Sequence, residues 1–125
     1  VKRVNQGADT GPGGLFGVTW LAEDIEGGGV IDYAQSTLTI AADGKVSGRG
    51  GCNTYFASAE VDGASIRIGP VGSTFKACAP ALMNQEEKFL AALGKAASFR
   101  LEEETGKLFL ADADGTEILR LSRSA

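Results

Sequence analysis

The sequence predicts a mainly β domain with one helix: a small antiparallel β-barrel or strongly curved sheet of about eight strands, closed by an α-helix near residues 80–93. Short runs of β-branched and aromatic residues recur at spacings of about 8–12 residues, which is typical of a small antiparallel barrel or a strongly curved sheet. Eighteen glycines against three prolines supply the tight turns and bulges that such a fold needs.

The first half of the chain is predicted to consist of strands and hairpin turns. The first strand carries Trp20, the only tryptophan, which we place in the core. Asp43-Gly44 and Asp62-Gly63 predict hairpin turns, because both residue types tolerate positive φ. The predicted strands of this half cover residues 15–22, 37–40, 45–48, 54–61, 65–69 and 71–77.

The second half predicts one helix followed by a meander of strands. Pro80 suits the first turn of a helix, where the missing N–H would have no intrahelical partner in any case. We expect the helix to run from Pro80 to Leu93 and to stop at Gly94, a common C-terminal cap. Three further strands are predicted over residues 98–102, 107–110 and 117–121.

A chain of 125 residues is long enough for one core and one domain. Residues 1–14 are polar, rich in glycine and without periodicity, so we interpret them as a linker or the stub of an upstream segment. Residues 15–125 form the predicted domain. No run approaches the roughly 20 apolar residues of a transmembrane helix, so no transmembrane segment is predicted.

Composition excludes several function classes. The net charge of −4 opposes binding to nucleic acid, which depends on clustered Lys and Arg. The chain has no histidine, and it therefore lacks the commonest zinc ligand and the central residue of a Ser-His-Asp triad. We predict no metal and no cofactor.

The apolar face of the predicted helix contains a carboxylate. At 100° per residue, Glu86 falls in the middle of the stripe formed by residues such as Phe89, Leu90 and Leu93, which we assign to the core with Trp20. A buried carboxylate is costly unless it is paired or hydrogen-bonded. We therefore predict that Glu86 belongs to a structural polar network.

The partners expected for this carboxylate are Arg49, Asn53 and Lys76. The alternative is an enzyme that uses Glu86 with Arg49 in a cleft. These two interpretations differ in whether Glu86 opens onto a pocket of several hundred cubic ångströms.

Cys52 and Cys78 are the only cysteines. Their spacing fits no metal motif, and no histidine is present to complete a metal site or activate a thiol. An even count and an exported context favour a disulfide, whereas a cytosolic context would leave two packed thiols.

The order of several short motifs resembles the META domain family, which includes the bacterial HslJ-type heat-shock proteins. The resemblance covers about residues 15–122, and one departure is Phe75-Lys76, where the family commonly has Arg-Met or Lys-Met. The motifs that carry it are Thr19-Trp20, Gly48-x-Gly50-Gly51-Cys52-Asn53-x-Tyr55, Ile68-Gly69, Ser73-Thr74, Ala77-Cys78, Met83-x-x-Glu86-x-x-Phe89-Leu90-x-x-Leu93 and Leu108-x-Leu110.

The resemblance implies a compact domain of the bacterial envelope or of lipoproteins, without an established enzymatic activity. We expect a non-enzymatic binding or stress-response accessory module, located in the periplasm or anchored at the outer membrane. Its expected partner is an unidentified protein, peptide or envelope component, and we expect the domain to be a monomer. A second alternative is a lipid or peptide carrier that uses the barrel interior, which would require a cavity there.

Overall fold

The computed structural model describes residues 14–30 and 35–123, which form ten strands and one helix. The predicted linker, residues 1–14, lies outside the described residues except for Gly14. The elements are β1 (Thr19–Ile25), β2 (Gly28–Gly29), β3 (Thr37–Ile40), β4 (Lys45–Arg49), β5 (Thr54–Asp62), β6 (Ser65–Ile68), β7 (Gly72–Ser73), α1 (Pro80–Lys95), β8 (Ser98–Glu102), β9 (Lys107–Ala111) and β10 (Glu117–Arg123).

All strand pairs are antiparallel, and eight strands close into a ring. The order around the ring is β1, β3, β4, β5, β6, β8, β9 and β10, and β10 returns to pair with β1. The two remaining strands are short additions, β2 on β1 and β7 on β5. The prediction of a mainly β fold of about eight ring strands with one helix is confirmed.

The two predicted Asp-Gly turns are present, at Gly44 (φ 93°) and Gly63 (φ 61°). Gly44 also lies close to β5, because a Cβ atom there would be 2.8 Å from the Ala59 carbonyl oxygen. The turn between β1 and β2 is made by Glu26 (φ 50°) and Gly27 (φ 85°). A two-residue loop with positive φ at both positions matches the twist of an antiparallel hairpin.

β6 and β7 are two parts of one bulged strand along β5. Ile68 of β6 lies opposite Ala59, whereas Gly72 of β7 lies opposite Phe56. Three residues, 69–71, therefore oppose only two on β5, which is the one-residue excess of a β-bulge. Pro70 fits this bulge because it has no N–H to contribute to a ladder. The strand predicted over residues 71–77 is thus reduced to Gly72–Ser73.

The ring is weakest between β6 and β8, which pair only at Ser65 and Ser98. Two flanking backbone bonds support this pair, from the Ile66 N–H to the Ala97 carbonyl (3.1 Å) and from the Phe99 N–H to the Ala64 carbonyl (2.9 Å). α1 packs against β6 beside this seam. The helix therefore lies alongside a stretch of strand edge that no neighbouring strand pairs with.

The helix begins at Pro80 as predicted but ends at Lys95 rather than before Gly94. Gly94 does not have the left-handed conformation of a C-terminal cap, and Ala96 ends the helix by turning to extended backbone (φ −60°, ψ 132°) that leads into β8. The Lys95 ammonium contacts Glu26 at 2.8 Å. Tertiary contact with the β1–β2 turn therefore accompanies the last turn of the helix. No helix in the described ranges is long and apolar enough to cross a bilayer.

The core lies inside the ring and beneath the helix. Of the predicted core residues, Trp20, Phe89 and Leu93 are fully buried, whereas Leu90 is only partly buried. The indole N–H of Trp20 donates to the Leu15 carbonyl at 3.1 Å, so burial leaves no unpaired donor. The largest fully buried side chains are Trp20, Tyr55, Phe89, Leu15, Leu38, Ile40, Ile66, Leu93, Leu108, Leu110, Leu119 and Leu121.

Replacing Trp20 tests whether this core holds the ring together. We expect Trp20→Ala to lower the free energy of unfolding by about 3–5 kcal/mol, because it leaves a large cavity and an unpaired carbonyl. The measurement is urea denaturation followed by circular dichroism. The control is Phe75→Ala, whose side chain is 93% exposed and whose loss should cost less than about 0.5 kcal/mol. Equal shifts for the two variants would contradict the assignment of Trp20 to the core.

Candidate functional site

The carboxylate of Glu86 is held by the turn between β4 and β5. Its Oε1 accepts hydrogen bonds from the backbone N–H of Cys52 (3.0 Å) and of Asn53 (2.5 Å). Its Oε2 accepts one from the Asn53 side-chain amide at 2.9 Å. Glu86 is 7% exposed, so these bonds replace the water that burial removes. The carboxylate thereby fastens the first half of α1 to the ring.

The pKa of Glu86 reflects a competition between burial and these bonds. Burial raises the pKa, whereas the donors from Asn53 and Cys52 and the nearby charge of Arg49 lower it. The lowering contributions together prevail, and the pKa lies below its ordinary value. Glu86 is therefore an anion at neutral pH and is stabilised as one.

Two glycines allow the turn to approach the carboxylate. A Cβ atom on Gly50 would lie 2.7 Å from the Cγ of Glu86, closer than two carbon atoms can approach. Gly51 has φ +141°, a backbone conformation that side chains disfavour. The Gly50-Gly51 pair therefore allows close packing of the turn against the Glu86 side chain.

Asn53 connects this turn to the segment before the helix. Its Oδ1 accepts from the Lys76 N–H (2.6 Å) and from the Thr74 hydroxyl (2.9 Å). Its Nδ2 donates to Glu86 and to the Lys76 carbonyl (3.3 Å). All the hydrogen-bonding capacity of the side-chain amide is used, and Asn53 fixes the backbone at Lys76, beyond the last backbone bond from Thr74 to β5.

Cys52 and Cys78 form a disulfide, with Cα atoms 6.2 Å apart. It ties the same turn to the residues just before α1. In the chain-entropy model, a bridge across this separation contributes roughly 3–4 kcal/mol by restricting the unfolded chain. The disulfide and the Glu86 carboxylate thus hold the helix at two nearby points.

Further buried polar side chains continue the network from the β4–β5 turn toward β3. The Ser36 hydroxyl is fully buried and donates to the Gly50 carbonyl at 2.6 Å, and Gln85 donates to the Ser36 oxygen at 3.0 Å. The Tyr55 hydroxyl donates to the Thr37 carbonyl at 2.6 Å, and burial raises its pKa. The Tyr55 ring meets Phe89 edge to face, with centroids 5.9 Å apart.

The three residues that the sequence predicts around the carboxylate have different roles in the structure. Asn53 bonds Glu86 directly, whereas Arg49 contributes only the field of its charge while its side chain is exposed. Lys76 takes part through its backbone N–H and carbonyl, and its side chain is exposed. Among the described residues, no group of three or more His, Cys, Asp or Glu side chains is placed to hold a metal ion.

An open cleft of about 840 Å³ lies on the outside of the ring, between the bulged strand and α1. Glu86 does not line it. The strand side contributes both ends of the bulge, and the helix side contributes two very small residues. The lining residues are Ser58, Glu60, Arg67, Ile68, Gly69, Pro70, Val71, Ser73, Leu90, Ala91 and Gly94.

The family model of the META domain matches residues 14–125, which is nearly the whole chain. The chain belongs to the META domain family. The resemblance found from the motifs is thereby confirmed. No curated protein matches the chain significantly.

Three solved structures share the fold of this META domain. A protein from Burkholderia xenovorans, solved by NMR, is 24% identical with a TM-score of 0.72, covering 89% of this chain and 84% of its own. A second protein solved by NMR is 20% identical with a TM-score of 0.65, covering 84% and 87%. A DUF4847 family protein from Bacteroides vulgatus is 16% identical with a TM-score of 0.64, covering 84% and 91%. At these identities the likeness concerns the fold.

The sequence reasoning missed the cleft of this META domain and part of its polar network. Ser36 follows no motif, and only its burial beneath Gly50 reveals its role. Pro70 was the available signal for the cleft, since a proline inside a predicted run of strands suggests a bulge or an edge. Leu90 lies at the border, because it packs against the core and also lines the cleft.

Replacing Glu86 by Gln tests the anchoring role of the carboxylate. We expect Glu86→Gln to lower the free energy of unfolding at pH 7 by about 1–3 kcal/mol, because the amide NH₂ cannot accept the bond from Asn53. The lowered pKa of Glu86 fixes the sign of the pH dependence. Its stabilisation is fully present above the unfolded-state value of about 4.3 and is lost as the pH falls through the folded-state value.

The measurement is urea denaturation of both proteins between pH 3 and pH 7. The stability difference between the wild type and Glu86→Gln should shrink below a pH of about 4.3. Glu87→Gln, on the exposed neighbouring position, is the matched control and should follow the wild type. A difference that stays constant over this range would show that the charge of Glu86 does not stabilise the fold.

Proposed function

We propose that this META domain is a non-enzymatic binding module that works in an extracytoplasmic compartment and holds its partner in the cleft between the bulged strand and α1. The cleft is the observation that carries the proposal. It is open, large enough for part of a macromolecule and lined mainly by small or apolar side chains. A role as an accessory module in envelope stress is the cellular setting that the family resemblance suggests.

The charges at the cleft support binding rather than catalysis. Glu60 and Arg67 form an ion pair of 2.8 Å with each other, and both side chains are largely exposed. The acids and bases of active sites are commonly buried, with strongly shifted pKa values. Glu60 and Arg67 are instead exposed and paired with each other. The cleft offers shape and apolar contact in place of reactive groups.

Glu86 is poorly placed for the alternative of an enzyme. That hypothesis needs a carboxylate that can reach a substrate, and both oxygens of Glu86 are occupied by donors of the β4–β5 turn. The alternative of a carrier with an internal ligand needs space inside the ring. Large side chains such as Trp20, Tyr55 and Phe89 fill that interior.

The disulfide supports the extracytoplasmic part of the proposal, since such bonds persist in oxidising compartments and are rare in the cytosol. Trapping the thiols in intact cells tests this part. Cells of the source organism are quenched in acid, and the protein is then unfolded and treated with a maleimide of high mass. We expect no adduct before reduction and two adducts per chain after it.

A Cys78→Ser variant provides the matched control for labelling, because its single thiol at Cys52 must react without a reductant. Two free thiols in the wild type, in freshly quenched cells, would contradict an oxidising compartment. The comparison does not depend on knowing the partner.

Photocrosslinking from the cleft tests the binding part. A photoreactive residue replaces Ala91 in the cleft or Ala113 in the exposed β9–β10 turn. We expect a discrete crosslinked product from position 91 and none from position 113. The same pattern from both positions would contradict binding in the cleft.

Gly94 allows a matched pair of blocking variants. A Cβ atom there meets nothing within 4 Å, so the helix accepts a side chain. Gly94→Arg fills the cleft and should abolish the product from position 91. Gly94→Ala adds one methyl group, should stabilise the helix by about 0.5–1 kcal/mol and should keep the product. A product that survives Gly94→Arg would place the partner elsewhere.

A further inference from the structure

We infer that the partner is an extended polypeptide segment that adds as a strand to the open edge of the bulged strand, inside the cleft. This inference rests on the proposed function, because it names the chemical class of what the cleft binds. Hydrogen bonds between backbones would supply much of the affinity, and the neighbouring helix would select the side chains.

The edge of the bulged strand that faces away from β5 is unpaired along most of its length. Within residues 14–30 and 35–123, β6 pairs on this side with β8 only at Ser65, and β7 pairs with no strand other than β5. The cleft begins where the pairing stops and follows the strand from Arg67 to Ser73. Space and an unpaired edge therefore coincide.

The backbone N–H and C=O groups along this edge point alternately toward β5 and away from it. In an antiparallel strand, successive residues direct their N–H and C=O groups alternately to one neighbour and to the other. The N–H groups of Gly69 and Thr74 donate to carbonyls of β5, whereas that of Ile66 donates away from β5, to Ala97. By this alternation, Ile68 and Ser73 direct their backbone groups away from β5, and both line the cleft.

The helix α1 forms the wall of the cleft opposite this edge. A helix uses its backbone donors and acceptors internally, so α1 cannot satisfy a strand edge as another strand would. Ala91 and Gly94 face the cleft with almost no side chain, which leaves room between helix and strand. An inserted strand needs about 4.8 Å from its neighbour, and small residues on α1 favour that approach.

The charged side chains that line the cleft are Glu60 and Arg67. Glu60 and Arg67 neutralise each other at the rim, so the cleft carries no net charge with which to attract a strongly acidic or basic ligand. Its apolar contacts come from Ile68, Val71 and Leu90. The cleft thus complements a neutral segment with small and apolar side chains, whose alternating N–H and C=O groups match those of the edge.

The experiment uses a capped six-residue peptide that alternates valine and serine, titrated into the ¹⁵N-labelled protein. We expect amide shifts confined to the cleft and hydrogen exchange at Ser73, which is partly exposed, slowed by about tenfold at saturation as its amide gains a partner. Two N-methylated isomers, methylated at alternate positions, serve as matched controls. One isomer lacks the N–H donors that would face β6 and β7, and we expect it to bind about tenfold more weakly than the unmethylated peptide. Tenfold corresponds to the loss of about one backbone hydrogen bond. The other isomer should bind like the unmethylated peptide.

A pair of protein variants tests the same contact from the other side. Ser73→Pro removes an N–H that points away from β5, which an edge strand tolerates. Ser73→Ala changes only the side chain. We expect Ser73→Pro to weaken the peptide about tenfold and Ser73→Ala to leave it unchanged. The spectrum of each free variant establishes that the fold is intact.

Other occupants give different outcomes. Equal binding of the two N-methylated isomers would overturn strand addition, while the crosslink from position 91 would still support a binding cleft. Shifts caused by lauric acid but not by the peptide would overturn it in favour of an acyl chain. Dimerisation through this edge, detected by sedimentation and abolished by Ser73→Pro, would assign the site to a second copy. Loss of the crosslink itself would count against the proposed function.

Discussion

The two hydrogen bonds that the Glu86 carboxylate accepts from backbone N–H groups are the interaction on which the rest of the structure depends. They join α1 to the turn between β4 and β5. Asn53 extends this anchor to the segment before the helix, and the disulfide reinforces it. A side chain in the middle of an apolar helix face thus determines where the helix lies.

The position of the helix decides what happens at the weak seam of the ring. β6 and β8 share one residue pair, and α1 lies beside them and buries Phe89, Ala92 and Leu93. The same helix keeps small residues on its outer side, opposite the bulged strand. Closing the core and opening the cleft are therefore done by two faces of one element, and the polar anchor orients both.

Local chemistry was sufficient for the parts that the sequence predicted well. Most strands, the turns at Gly44 and Gly63, the start of the helix at Pro80 and the unusual place of Glu86 each follow from neighbouring residues. What failed depends on distant contacts. The segment after Ser73 reads as a strand, but its backbone bonds the side chain of Asn53, which lies 23 positions from Lys76 in the chain.

The end of the helix was predicted wrongly and the cleft was not predicted, and both failures have the same reason. Gly94 is a common cap in isolation, and yet the helix continues to Lys95, which contacts Glu26 nearly 70 positions away. The bulge depends on a register between two strands that no local pattern encodes. Patterning predicts which residues are inside, but register and docking decide which surfaces remain available.

The bulge at residues 69–71 has a consequence for how such a domain can diversify. It lines the cleft, but Ile68 and Val71 at its two ends also pack against the core. Lengthening or shortening this detour would reshape the cleft and would also displace these two side chains. The shape of the cleft and the stability of the fold are therefore coupled through the ends of the bulge, and only the residues between them can vary independently.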